Sequence, residues 1–174
     1  MKITCDSCEN CTKCKDICCY YKENEKECSP IFTKDDAEKI EKKLGKGFFK
    51  QLNKEKTLFR LILKKSEKHK NYICPFFNEK TKKCTIYELR PLDCILFPFT
   101  FVRRNNQIYL GIINDKDMCP FMKDLTEKDI EESRKRIVKK IKKDKIGEIL
   151  RKYPEMIFDY EGVKLLGKID LDKI

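Results

Sequence analysis

Cys5-Asp-Ser-Cys8-Glu-Asn-Cys11-Thr-Lys-Cys14-Lys-Asp-Ile-Cys18-Cys19, residues 5–19, gathers six thiols into one short stretch near the start of the chain. Five more stand far downstream, at Cys28, Cys74, Cys84, Cys94 and Cys119, which makes 11 in 174 residues. Thiols at such close spacing are what soft metal ions require. If the first cluster shares its ion with the distant cysteines, long loops must close around the sulfurs, so metal binding contributes heavily to folding stability. A metal-free chain is then expected to be partly unfolded.

Within the cluster, Cys11 and Cys14 are separated by two residues, which lets the backbone fold around one ion with both sulfurs pointing inward. Cys18 and Cys19 are different. Successive side chains of an extended backbone leave on opposite faces, so a vicinal pair points to two sites or to a polynuclear one. Downstream, Cys74 lies in Cys-Pro-Phe-Phe and Cys119 in Cys-Pro-Phe-Met, where proline stiffens the chain after a sulfur. The run Cys8, Cys11, Cys14, Cys18 also has the spacing of a ferredoxin cluster loop, but Cys19 takes the place of the proline and no second run follows. Zinc and iron–sulfur clusters both accept all-sulfur ligation, so the donors leave the choice between them open. His69 is the single histidine and stands in a lysine-rich run, so it reads as a solvated side chain and mixed His/Cys zinc sites are set aside.

The residues after Met1 offer no apolar stretch for a signal peptide, and no apolar run reaches membrane-spanning length. A soluble cytoplasmic protein is expected, and in a reducing compartment clustered cysteines read as metal ligands rather than disulfides. The composition is rich in Lys, Ile and Glu, with one Ala and no Trp, a bias compatible with a hyperthermophile. Such organisms keep disulfides inside the cell, so structural bridges are the competing reading, with Cys5 and Cys28 the first candidates to be unligated or bridged and Cys8 an alternative ligand. The formal charge is +11 with thiols counted as neutral. Eight thiolates holding two doubly charged ions would add about −4 and leave roughly +7. The remaining basic runs, Lys64 to Lys70 and Lys139 to Lys145, carry interspersed acids and read as solvated faces before they read as nucleic-acid contacts.

Local signals predict an α+β fold: a small metal-stabilised cysteine-cluster domain with short strands or a hairpin, followed by a long C-terminal helix. Thr33-Lys-Asp-Asp36 before Ala37, Ile40 and Leu44 is a capped helix start, ended by Gly45 or Gly47. Leu58–Leu63 and Tyr72–Phe77 read as strands, Lys80–Lys83 as a turn, and Arg90-Pro91 as a helix start. Phe99 to Arg103, Asn105-Asn106 and Ile108 to Ile113 have the pattern of a β-hairpin. Thr126–Lys152 reads as one helical stretch with an apolar stripe of Ile130, Ile137, Val138, Ile141, Ile149 and Leu150, weakest at Gly147. A last strand is expected around Val163–Ile169. Residues 1–122 are expected to form the metal-binding domain and 123–174 a helical extension packed on it.

Cys11-Thr-Lys-Cys14-Lys-Asp-Ile-Cys18-Cys19, Cys74-Pro75-Phe76, and Cys84-Thr-Ile-Tyr87-Glu88-Leu-Arg90-Pro91-Leu-Asp-Cys94-Ile-Leu-Phe97-Pro98 together resemble the YkgJ-type cysteine-cluster family. That family is described as a zinc- or iron-chelating domain, with a CxxCxxCC cluster and a later Cys-x-Ile-Tyr-Glu-x-Arg-Pro-x-x-Cys motif. The likeness spans roughly residues 11 to 120, with Ile31-Phe32-Thr33 and its helix inside it. This chain departs from the pattern by the extra Ile17 before the vicinal pair and by Ile95 where arginine is frequent. The resemblance and the spacing together assign the metal to Cys11, Cys14, Cys18, Cys19, Cys74, Cys84, Cys94 and Cys119.

No catalytic group stands out. Tyr87 reads as core, Glu88 as an ion-pair partner, Arg90 as a donor supporting a sulfur or a buried carbonyl, and Tyr20-Tyr21 and Phe97–Phe99 as packing around the centre. The leading expectation is a soluble metal-chelating protein binding zinc or an iron–sulfur centre. The resemblance also admits an enzyme, since some relatives are flagellin lysine methylases, although the chain has no Gly-rich nucleotide loop after a strand. An iron–sulfur redox enzyme needs no such loop. A metal-held scaffold whose lysine-rich helix contacts RNA or a protein partner is the third expectation.

Overall fold

Thr33 ends a three-residue strand and starts a helix. Its Oγ1 accepts the Asp36 N–H while the Asp36 carboxylate accepts the Thr33 N–H, both at 3.3 Å, so two backbone donors that a helix start leaves orphaned are satisfied. The helix that follows, α1 (Lys34–Leu44), buries Ala37 and Ile40 on one side and stops at Gly45, whose φ of +92° suits a residue without a Cβ. In the computed structural model, residues 18–67, 70–113, 125–158 and 162–173 are described. They fall into two compact units, one within residues 5–95 and one within 96–174.

Three small antiparallel assemblies build the first unit. β2 (Ile31–Thr33) and β3 (Phe49–Gln51) flank β4 (Leu58–Leu61), with Phe32 opposite Phe59. β1 (Tyr20–Tyr21) and β5 (Lys64–Lys65) flank β6 (Tyr72–Ile73). β7 (Phe77–Asn78) and β8 (Lys83–Cys84) form a hairpin across the expected turn, where the Asn78 side chain accepts the N–H groups of Lys80 and Thr81, each at 3.0 Å. The strand expected over Tyr72–Phe77 is two strands. The Cys74 carbonyl accepts the Phe77 N–H at 3.0 Å, and Pro75 occupies the second position of that turn, where its fixed φ belongs. Arg90-Pro91 precedes α2 (Leu92–Leu96), a helix of five residues. The core of this unit is aromatic and contains sulfur: Tyr21, Phe32, Phe76, Phe77 and Cys74 are buried together with Ile40, Leu61, Ile73 and Ile86, and Cys19 and Cys84 pack against them. Phe76 has ring centroids of Phe48 and Phe49 at 4.9 and 6.0 Å.

The second unit is organised by the expected hairpin. β9 (Phe99–Arg104) and β10 (Gln107–Ile113) join through Asn105 and Asn106, whose φ values of 50° and 59° give the left-handed two-residue turn that matches strand twist. The expected last strand is β11 (Val163–Ile169), which pairs with β10 through a bulge at Leu110/Gly111. The helical stretch expected over Thr126–Lys152 is two helices, α3 (Glu127–Lys143) and α4 (Ile146–Lys152). The interruption falls at Lys145, which adopts a left-handed φ of 52°, and not at Gly147, which is buried inside α4. α3 buries Ile130, Ser133, Ile137 and Ile141 along one stripe. Helices and small antiparallel sheets make the fold α+β. Among the described residues no helix is long and apolar enough to cross a membrane.

Candidate metal centre

Strand register brings the first two sulfurs together. In the antiparallel pair of β1 and β6, Tyr21 faces Tyr72 and Tyr20 faces Ile73, and one step further the Cys74 N–H donates to the Cys19 carbonyl at 2.8 Å. Residues directly opposite each other present their side chains on one face, so Cys19 and Cys74 meet although 55 positions separate them. Their side chains are hydrogen bonded, and Cys18 bonds to Cys19 as well. The turn after Cys74 does a second job. The Phe76 and Phe77 N–H groups point back at the Cys74 sulfur, and with the Cys19 thiol, the larger influence, they lower the Cys74 pKa against the opposing effect of burial. Hydrogen bonds to Cys18 and Cys74, followed by burial, hold the Cys19 thiol well above its ordinary value. Of the pair, the Cys74 thiol ionises more readily than the Cys19 thiol.

Two further cysteines arrive on separate elements. Cys84 lies opposite Phe77 in the β7–β8 hairpin, and the Thr85 N–H donates to the Phe76 carbonyl at 2.8 Å, which ties the hairpin to the Cys74 turn. Cys94 sits in α2. The preceding residue fastens that helix in place: the Asp93 carboxylate accepts the Ile31 N–H at 3.0 Å, linking α2 to β2. Burial pushes the Asp93 carboxyl up to about 6, against the lowering effect of that bond and of Arg60. Burial also pushes the Cys94 thiol well up, and charge at Cys18, Cys74, Asp93 and Cys84 acts in the same direction. Tyr21, buried, feels Cys19, Cys94, Cys74 and Cys18 in turn, after the larger effect of burial. Cys18, Cys19, Cys74 and Cys94 therefore share one electrostatic neighbourhood, with Cys84 reaching it through Cys94.

Tyr20, the outer member of the tyrosine pair, donates to Glu79 at 2.9 Å, and the Ser66 hydroxyl donates to the same carboxylate oxygen. Arg90 donates from Nε to the Tyr87 carbonyl at 3.0 Å and lies 3.7 Å from the centroid of the Tyr87 ring, so this arginine supports a carbonyl and stacks on its neighbour. Glu88 is exposed, and Cys28 is exposed on the 3-10 helix Glu23–Cys28. Among the described residues no disulfide joins one cysteine to another. Cys11, Cys14 and Cys119, with Cys5, Cys8 and His69, lie outside the described residues.

Sequence reasoning overlooked Asp93 and the backbone donors of Phe76 and Phe77. The local signal for the last was the proline after Cys74, which announces a turn and hence N–H groups near the preceding side chain. The donor set of thiols in an apolar surround, one of them already accepting backbone N–H bonds, fits a thiophilic ion. Among the described residues themselves, however, no group of three or more His, Cys, Asp or Glu side chains is arranged to hold a metal ion.

A family model described as "CxxCxxCC: Putative zinc- or iron-chelating domain" matches residues 4–148. An uncharacterized protein of Methanocaldococcus jannaschii is 49% identical over 37 residues, which are 21% of this chain and 20% of that protein. The chain thus matches about a fifth of the length of this curated relative. No solved structure matches.

Proposed function

This chain belongs to the CxxCxxCC family, and from that premise we propose that it binds zinc or iron through clustered cysteine thiolates and that the bound metal holds its fold together. Cys18, Cys19, Cys74, Cys84 and Cys94 are the ligands drawn from the described residues, and Cys11, Cys14 and Cys119 complete the set. The observation that carries this reading is the meeting of Cys19 and Cys74 across the end of the β1–β6 ladder, inside the aromatic core. Paired strands of two residues each do not stabilise themselves, since an isolated hairpin is marginal in water. A metal bridging their ends would cross-link β1, β6, the β7–β8 hairpin and α2 at one point.

The chain's own residues perform the rest. The Phe76 and Phe77 N–H groups stabilise a thiolate at Cys74, Asp93 orients the helix that carries Cys94, and the surrounding Phe and Tyr rings bury Cys74. Zinc would supply a closed structural node, and an iron–sulfur cluster would supply electron transfer. Thiolate ligation of this kind suits a reducing compartment, and a cytoplasmic location is part of this proposal.

Purification without oxygen, followed by elemental analysis and a visible spectrum, tests this directly. Zinc in a colourless sample supports the structural node. Iron with acid-labile sulfide and broad visible absorbance supports the cluster. Protein that carries neither metal and takes up neither after reduction overturns the reading.

A further inference from the structure

Cys19 and Cys74 stand in a relation that matters beyond metal ligation. The Cys74 N–H bond to the Cys19 carbonyl at 2.8 Å sets the two residues opposite each other one step beyond the β1–β6 ladder. The α-carbons of opposed antiparallel residues are about 4.5–5.5 Å apart, inside the range of about 4.4–6.8 Å that a disulfide spans. Their side chains lie on the same face and already meet through a sulfur–sulfur hydrogen bond. Cys18 also touches Cys19, but adjacent α-carbons are about 3.8 Å apart, too close for an unstrained bridge. Cys94 reaches the group from α2 by charge alone.

We propose that Cys19 and Cys74 close a reversible disulfide once the metal has left, so that metal and disulfide are alternative ties on the same pair of sulfurs. The inference rests on the metal-binding reading above. Each tie joins the end of β1 to the end of β6, so the strands stay joined when the disulfide takes the place of the ion.

A peroxide is the oxidant. Once the metal has left, Cys19, partly exposed, is met first, whereas Cys74 is buried at 8% exposure. The Cys19 sulfur, its proton passed to solvent, attacks one oxygen of hydrogen peroxide, the O–O bond breaks, and a sulfenic acid and hydroxide result. The Cys74 thiolate then attacks the Cys19 sulfur, the S–O bond breaks, and a second hydroxide leaves as the S–S bond forms. Two thiolates lose two electrons in all and one peroxide gains them. Bridging opposed residues draws their β-carbons in from about 4.5–5.5 Å to about 3.5–4.5 Å, and that strain favours reduction by a dithiol.

The test uses the full chain purified without oxygen, divided into a metal-loaded portion and a chelator-treated portion. Each receives one equivalent of hydrogen peroxide; remaining thiols are alkylated, and unreduced tryptic peptides are sequenced by mass spectrometry. The expected result in the metal-free portion is a link between peptides 16–22 and 71–80, with fragmentation assigning it to Cys19 and Cys74, reversed by dithiothreitol. The metal-loaded portion should form it about ten-fold more slowly or less. Cys74→Ser should abolish the link and Cys28→Ser should leave it intact. A bridge between Cys18 and Cys19, a link to another cysteine, sulfinic acid without a link, or equal rates in the two portions would overturn the proposal. The two readings fail separately: a chain that binds metal yet forms no link refutes this inference alone, while a chain that forms the link but never binds metal refutes the metal-binding reading and the alternation with it.

Discussion

Gly111 sits at the bulge between β10 and β11, and a Cβ built there would clash with Val163 Cγ1. Valine is short and β-branched, so it cannot swing aside as a long side chain would. Gly111→Ala should therefore cost about 1–3 kcal/mol through overpacking, read as a lower denaturant midpoint with an unchanged slope. At Asp93 the cost has another origin. Asp93→Ala leaves the N–H of the buried Ile31 without its acceptor and should destabilise the protein by about 1–3 kcal/mol in the same assay. The cysteines were legible as a candidate site because spacing and residue type are local signals. Asp93 was not, because its partner lies 62 positions away. Arg60, in Leu-Phe-Arg-Leu, drew no reading from the sequence, and it is 6% exposed and bonds to Glu27 at 2.6 Å.

At the scale of elements, what is local was readable. The Thr33 cap starts the helix expected of it, a helix begins after Thr126 as expected, and the Asn105-Asn106 turn joins the expected hairpin. The break between α3 and α4 was not readable, because a left-handed lysine carries no sequence mark while Gly147, the expected weak point, is accommodated within a helix. The α3 start makes a prediction about pH. Hydrogen bonds from the Thr126 hydroxyl and N–H hold the Asp129 carboxyl at about 2, below its ordinary 3.8. A depressed acid stabilises the folded state above its ordinary value and loses that contribution as pH falls through the folded one. Unfolding followed by circular dichroism should show the stability difference between wild type and Asp129→Asn shrinking from pH 4 to pH 2; a constant difference would deny the cap this role. In the hairpin, Asn106→Val places a β-branched residue at a φ of 59° and should cost about 1–2 kcal/mol, whereas Asn106→Gly should raise the melting temperature.

For the whole molecule, the pairings that were not legible are the non-consecutive ones. β2 finds β4 across the helix and β3, β1 finds β6 across half of the first unit, and β11 returns to β10 from beyond two helices. Nothing in a short apolar run names its distant partner, since register is decided by which faces can be buried together. The β1–β6 pairing is the one on which the metal reading depends, because it sets Cys19 against Cys74. If a metal cross-links that point, its removal should lower the melting temperature of the full chain by far more than a surface ion would, and re-addition should restore it. The most direct measurement is metal content per chain, by elemental analysis, of wild type and Cys74→Ser purified side by side without oxygen. Zinc or iron bound to wild type and lost or sharply reduced in Cys74→Ser is the predicted result. Equal metal content in the two proteins, or none in wild type, would contradict a thiolate centre built on the Cys19–Cys74 pair.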